Sequence, residues 1–336
     1  MNFALWKHRF KKYTHILNVY FAFLKVHFWV RWLKITKLSK KESVLVILTQ
    51  QFGDIVASEP LSRQIRQRHP DAMIFWVVKP IFRELLENNP NIDYIIDELC
   101  ANQRLKLINN KSFDIVYNLQ FRNNSHCEIC NIWVPNPDAD SKNITINNYY
   151  YHGNLLSVQQ KIAGFKTLDV PPRLYPRGTE RAKVDTLNLP KKFIVVHCQS
   201  AQNSRNWDTT KWTKLVNWIL EKTDFSVVEI GLLSDFKIKS DRFIDLSSKL
   251  SLLENAEVIS RAKLYIGVDS GPAHLANAVG TFGVIMIGKL ADFKNHIPYS
   301  GGYKSGKNAI IVRNVIGPSA DIEVEEVIEV IQTIIK

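Results

Sequence analysis

The sequence predicts an α/β protein with two doubly wound parallel sheets, and three observations carry that expectation. The chain has 336 residues, about twice the size of a typical domain. From residue 43 onward, short β-branched runs alternate with longer helical patterns, the signature of strand–helix–strand units. The alternation lapses over 121–148 and in the Pro-containing stretch 170–190 and then resumes, which divides it into two series. Hydrophobic residues at 46% and charged residues at 23% exclude a disordered or collagen-like chain. Four cysteines in such a length exclude a disulfide-stapled secreted fold and point to reduced thiols in a cytosolic setting.

In order, residues 44–49 read as a fully buried strand, Gly53 as a turn, and a helix runs on to about residue 69. Strands follow at 72–78, 94–96 and 113–119, separated by helices at 81–88 and 102–109. Residues 121–148, with Pro135, Pro137 and many Asn and Asp, read as irregular chain, 149–164 as helix and 170–190 as a linker. The second series has strands at 193–197, 225–230, 264–268, 284–287 and 309–312. Helices are expected at 209–222 and 252–261, from Gly271, and at 322–335. The expected divisions are therefore an N-terminal segment 1–41, a first domain 42–180 and a second domain 181–336. Ligands of such sheets bind at the carboxyl ends of the strands, and the cleft between two such domains is the default site.

The net charge of +12 is concentrated at the N-terminus. Residues 1–41 hold ten Lys or Arg and no Asp or Glu, leaving 34 basic against 32 acidic side chains in the rest. The same segment holds ten aromatics, Trp6, Phe21, Phe28 and Trp32 among them. Basic residues interleaved with aromatic rings suit the headgroup boundary of a membrane, and a membrane-surface anchor is the expectation. Lys25, His27 and Arg31 interrupt the apolar stretch too often for a spanning helix, and no small-residue cleavage site follows it. Packing onto the protein itself and nucleic-acid binding are the competing readings. As an anchor, the segment would be removable with weaker lipid binding and turnover of a soluble donor and acceptor analogue mostly intact.

Several motif matches carry no chemistry. Gly301 to Lys307 fits a phosphate loop by spacing, but Asn308 replaces the magnesium-holding hydroxyl and a strand follows where a helix is needed. No G-x-G-x-x-G follows the first strand. Asp138-Ala139-Asp140 reads as solvated loop. Cys127 and Cys130, preceded by His126, form a lone C-x-x-C with no second pair to complete a tetrahedral zinc site, and read as two ordinary thiols. No metal and no cofactor are expected.

Three loops remain. Asp269-Ser270-Gly271-Pro272-Ala273-His274 closes a buried strand and opens a helix, with Ser270 as N-cap and Pro272 in the first turn. The amides of Gly271, Ala273 and His274 would point out of the helix N-terminus and form an anion site; a well-capped helix with no ligand is the plainer alternative. The polar loop after residues 193–197 holds Ser200 and Arg205, suited to a phosphate. In the first series Gly53 permits a tight turn and Asp54 starts a helix, as a dipole partner or as a general base.

Together these pieces resemble glycosyltransferase family 9, the lipopolysaccharide heptosyltransferases. The resemblance extends from residue 43 to about 335, through Gly53-Asp54, Pro60-Leu61, His69-Pro70-Asp71, Asn89-Pro90-Asn91-Ile92-Asp93, Arg205-Asn206-Trp207 and the 269–274 motif with Leu275-Ala276 and Gly280-Thr281. It implies a GT-B architecture of two Rossmann-like domains facing across a cleft, an N-terminal acceptor domain, a C-terminal donor domain, and inverting, metal-independent transfer from a nucleotide sugar. By the same resemblance Asp54 is the catalytic base and Gly53 its positioning turn. Ser200, Arg205, Asp269, Ser270, Gly271, Ala273 and His274 hold the donor's diphosphate and sugar, and Asp235 lies near the nucleoside. The implied donor is ADP-heptose and the implied acceptor a lipid-linked glycan such as lipopolysaccharide core. The implied place is the cytoplasmic face of the inner membrane, reached through residues 1–41, with no nucleic-acid partner. Leu48-Thr49-Gln50-Gln51 before Gly53 and Gly288-Lys289-Leu290 depart from the family pattern, which leaves acceptor and sugar open. A non-catalytic nucleotide-sugar binder or membrane-recruited scaffold is the alternative.

Overall fold

The computed structural model describes residues 3–36, 42–121, 125–234, 237–291 and 293–335. The chain forms two compact units: residues 1–50, 61–152 and 158–167 make the first, and residues 51–60, 153–157 and 168–336 the second.

The first stretch of chain runs α1 (Phe3–Thr36), β1 (Ser43–Ile47), α2 (Phe52–Ala57), α3 (Glu59–Arg68), β2 (Met73–Val78), β3 (Tyr94–Asp97), α4 (Ala101–Asn109) and β4 (Ile115–Asn118). Then come the two-stranded hairpin β5 (Ser125–Cys127) and β6 (Ile132–Val134), α5 (Pro137–Asp140), α6 (Leu155–Ile162) and α7 (Gly178–Asp185). The remainder is β7 (Phe193–His197), α8 (Thr209–Lys222), β8 (Ser226–Glu229), β9 (Phe243–Asp245), α9 (Leu252–Arg261), β10 (Leu264–Val268), α10 (Gly271–Val279), β11 (Gly283–Ile287), α11 (Gly302–Ser305), β12 (Ala309–Arg313) and α12 (Val324–Ile334).

The first unit is built on a parallel sheet in the order β3-β2-β1-β4. β1 and β2 are buried along their whole length, as strands covered on both faces must be. One cover is α1. Phe23, Val26, Val30 and Leu33, spaced by three and four residues, share a core with Leu45, Ile47, Met73, Phe75 and Val77. Trp29 meets Phe75 and Tyr94 edge-on at 5.5 and 5.0 Å. His27 Nδ1 lies 2.6 Å from Ser112 Oγ, and Lys34 pairs with Asp114 at 2.9 Å. The inner face of α1 is thus part of the first core, so the expectation that deleting the segment leaves turnover mostly intact is corrected: the deletion would open that core. Its opposite face is different: Trp6, Phe10, Tyr13, Leu17, Phe21, Phe28 and Trp32 are exposed. No helix among the described residues is long and apolar enough to cross a membrane.

The second unit holds a six-stranded parallel sheet, β12-β11-β10-β7-β8-β9. α8 and α12 cover one face, where Trp212, Leu215, Ile219, Val327 and Ile331 pack with Ile194, Val196, Ile266 and Val284. The strand order reverses between β10 and β7. In open sheets that switch point is where the strand ends leave a crevice for a ligand.

Local differences from the sequence reading have physical causes. The helix expected up to residue 69 breaks at Ser58, because Pro60 lacks the N–H to continue a helix but fits the first turn of a new one. The helix expected at 81–88 is a 3₁₀ stretch, Pro80–Leu85. The irregular 121–148 contains the β5–β6 hairpin and α5, where Asn136 caps the turn bearing Asp138 and Asp140, both exposed. The linker contains α7, and β9 was not expected. These are short elements, placed by tertiary contacts rather than by periodicity.

Candidate active site

Both loops at the switch point of the second sheet are ordered by their own polar groups. After β7, the Asn206 side chain closes the loop: its Oδ1 accepts from Ser200 N at 2.6 Å, and its Nδ2 donates to Ser200 O at 3.2 Å. Ser200 Oγ bridges to Gln202, accepting from its N and donating to its O. Arg205 ends the short 3₁₀ turn Asn203–Arg205 and reaches across to β10. There its Nη1 lies 3.0 Å from Asp269 Oδ2 and donates to Asp269 O at 3.3 Å. Tyr299 Oη donates to Asp269 Oδ1 at 2.7 Å. Burial alone would push the Asp269 carboxyl up, but Arg205 and the Tyr299 hydroxyl outweigh it and hold the group below the usual carboxylate range. Asp269 is therefore an ionised, buried anchor that fixes the guanidinium at the sheet's edge.

α10 begins as expected at Ser270, but the cap differs. Ser270 makes no side-chain cap; its hydroxyl donates to Val268 O and lies 3.1 Å from His197 Nδ1. The Ala273 amide bonds Ser270 O at 3.2 Å, so this expected outward donor is engaged in the first turn. Without a hydroxyl cap, the opening turn keeps the positive end of its dipole for an anion. His274 is buried, stacks obliquely on Tyr299 with centroids 4.7 Å apart, and its Nδ1 has no hydrogen-bond partner.

The helix bearing Asp54 packs against this same turn. A Cβ on Gly53 would lie 3.0 Å from His274 Cδ2 and 3.2 Å from Gly271 Cα, and one on Gly271 would fall 2.1 Å from the Phe52 ring. Only glycine at both positions lets α2 and α10 approach so closely. Asp54 lies at the third position of α2, is buried, and its Oδ2 accepts from the Gln51 amide at 3.1 Å. The dipole-partner role is thus present, and one carboxylate sits on a helix held against the opening turn of α10 within one unit. Asp235 lies outside the described residues. Near it Ser234 Oγ donates to the buried Glu229 Oε2 at 2.5 Å, a carboxylate that the sequence reading missed because it ends an apolar strand.

A second polar group was also missed. At the β1–β4 switch point of the first unit, Arg104 Nη1 donates to Thr49 Oγ1 at 2.8 Å and its Nε lies 3.3 Å from Glu98, both charges being buried. Asn136 Nδ2 donates to Asn118 O at 2.8 Å nearby. Nothing in the local sequence marks these residues, since Arg104 lies on the sheet-facing side of a helix that reads as ordinary. The reading of Cys127 and Cys130 as a pair without partners is corrected too, because the fold brings His15 and Cys100 beside them.

The site carries a pH dependence of stability. Burial lowers His197, His274 and His296 to about 4, against about 6.5 in an unfolded chain. The unfolded state therefore binds more protons between those values, so stability is full above about 6.5 and is lost as the pH falls toward 4. Going from pH 7 to pH 5 should cost about 2 kcal/mol per histidine. Thermal melts across that range should show a steep fall in Tm; a flat profile would contradict the buried neutral imidazoles.

Two doubly wound parallel units are the architecture of GT-B glycosyltransferases. A model of glycosyltransferase family 9 (heptosyltransferase) matches residues 156–289. Lipopolysaccharide heptosyltransferase 3 of Escherichia coli is 22% identical over 269 residues, covering 68% of this chain and 78% of its own. Among solved structures, a family 9 glycosyltransferase from Veillonella parvula superposes with a TM-score of 0.65 at 18% identity, covering 88% and 97% of the two chains. The ADP-heptose lipopolysaccharide heptosyltransferase II of E. coli gives 0.64 at 17%, covering 87% and 98%. Residues 156–289 thus match glycosyltransferase family 9, and most of the chain shares the fold of solved members of that family.

Proposed function

We propose that this glycosyltransferase moves a sugar, heptose in the first instance, from a nucleoside diphosphate sugar such as ADP-heptose to a lipid-linked glycan in lipopolysaccharide core assembly. The observation that carries this reading is the packing of the Asp54 helix against the opening turn of α10, beside the Arg205–Asp269 pair. An acceptor hydroxyl attacks the anomeric carbon from the face opposite the diphosphate and loses its proton to Asp54. The bond from the anomeric carbon to the diphosphate oxygen breaks with inversion, and the charge passing to the leaving group is met by Arg205, Ser200 and the α10 N-terminus. Fixed positive groups of this kind serve the purpose of a divalent cation, so transfer should proceed without added Mg²⁺ or Mn²⁺. The test is transfer from ADP-heptose to a truncated lipopolysaccharide core, with the product's anomeric configuration read by NMR. Binding of ADP-heptose with neither transfer nor hydrolysis, across a panel of acceptors, would instead favour the non-catalytic binder.

The outer face of α1 supports action at the cytoplasmic membrane surface. Exposed Phe21, Phe28 and Trp32 lie among Lys7, Lys25 and Arg31, in a segment free of acidic residues, which matches an anionic lipid surface. Because the inner face belongs to the core, the informative variant is the triple substitution F21S/F28S/W32S rather than a deletion. It should lower partitioning onto vesicles containing anionic lipid at least tenfold, while turnover of a soluble acceptor analogue stays within twofold. Equal partitioning of variant and parent would remove the docking role.

A further inference from the structure

In the first unit, four side chains of metal-ligating type converge from three elements distant in sequence. His15 comes from α1, Cys100 is the N-cap of α4, Cys127 ends β5 and Cys130 lies in the turn that leads to β6. Their ligating atoms all lie within 4.8 Å of one another. Cys100 Sγ is 4.0 Å from Cys130 Sγ, and Cys127 Sγ is 3.5 Å from His15 Nε2. Zinc–sulfur bonds of about 2.3 Å and zinc–nitrogen bonds of about 2.0–2.1 Å in a tetrahedron place ligand atoms about 3.6–3.8 Å apart. The sulfur–nitrogen separation lies within about 0.1 Å of such an edge and the sulfur–sulfur separation about 0.2 Å beyond it. A disulfide would need about 2.05 Å between sulfurs, and all four cysteines of the chain are thiols.

N–H groups are directed at two of the sulfurs. The Cys130 amide points at Cys127 Sγ at 3.5 Å, and Asn102 Nδ2 points at Cys130 Sγ at 3.5 Å. N–H groups directed at sulfur orient metal ligands and offset their charge. Asn131, in the left-handed region at φ 53°, closes the turn by donating to Cys127 O at 2.7 Å, so both sulfurs of the C-x-x-C emerge on one side. Cys100 is the N-cap residue of α4. Ala101, Val134, Ile16, Ile129 and Ile132 enclose the group in apolar packing. The hairpin has two strands of three residues each, too short to be stable on packing alone, and a metal would supply the missing constraint.

We infer that His15, Cys100, Cys127 and Cys130 form a structural zinc site that ties α1 and the β5–β6 hairpin to α4. Four protein ligands leave no open position for substrate, which makes the site structural rather than catalytic. It shares no residue with the donor loops, and it fixes the lipid-facing helix to the first unit whatever sugar the enzyme transfers.

The full-length protein, purified without chelators, should contain about one zinc per chain by mass spectrometry of the metal. H15A and the double variant C127S/C130S should each lower that content at least fivefold, whereas C198S should leave it unchanged. Because the ligand variants lose a structural tie and can misfold, a second measurement uses the unaltered chain. Protein stripped of metal and titrated with Co²⁺ should reach a one-to-one end point with the intense visible bands of tetrahedral thiolate cobalt. Zn²⁺ should displace them and protect three of the four thiols from a disulfide reagent. Folded protein with no stoichiometric metal and no cobalt spectrum would overturn the inference, as would zinc retained in full by C127S/C130S.

Discussion

Asp54→Asn is expected to reduce transfer from the nucleotide sugar by a factor of roughly 10²–10⁴, the range of general-base contributions, with almost no change in Tm. The separation follows because the proposed base also has a structural contact. Its Oδ2 accepts the Gln51 amide at the start of α2, and the amide oxygen of asparagine can keep that bond. Asparagine cannot take a proton from an attacking hydroxyl. Asp54→Ala loses that contact as well and should add a stability loss of about 1 kcal/mol, the ordinary worth of a helix-start hydrogen bond. Initial rates at saturating donor and acceptor, with thermal melts of the same preparations, separate the two effects. Near-parent turnover in the asparagine variant would leave Asp54 as a structural residue only.

Removal of the Arg205 guanidinium should be nearly as damaging and should leave a different signature. Losing one fixed positive donor at the leaving group costs about 10²–10³ in rate, and Arg205→Ala should show this in kcat. Asp269 is then left with the Tyr299 hydroxyl but without its cation. A buried carboxylate that loses its partner costs about 3–5 kcal/mol; the partly exposed Arg205 side chain lets water soften this, so about 1–3 kcal/mol is expected. Arg205→Lys retains the charge and loses the fork that spans Asp269 and a phosphate, so most of the stability should return and only part of the rate. A lysine variant as active as the parent would mean that charge alone suffices; an alanine variant as active would detach the pair from the donor.

Metal content and the cobalt spectrum report on the first unit alone, whereas the Asp54 and Arg205 variants probe residues of the second. The buried histidines give a third handle: acidification should destabilise the second unit through protonation of His197, His274 and His296, while Asp269 remains ionised to lower pH than an ordinary carboxyl.

Residue order alone determined a great deal here. Uninterrupted apolar runs such as 44–49 and 264–268 can be satisfied only in parallel strands covered on both faces, so the α/β class and the positions of the strand ends follow from pattern. Ser200, Arg205 and the Asp269 to His274 segment are legible for the same reason, because each polar group directly follows a buried strand. Tertiary structure decided what pattern could not: that Asp269 holds Arg205, that α2 lies against α10 through two glycines, and that α1 is core on one side and exposed on the other. It also decided that Cys127 and Cys130 meet His15 and Cys100. Strand and helix signals are local repeats that a chain displays along its length, whereas a coordination tetrahedron or a close helix contact joins residues of large sequence separation and leaves no periodic trace.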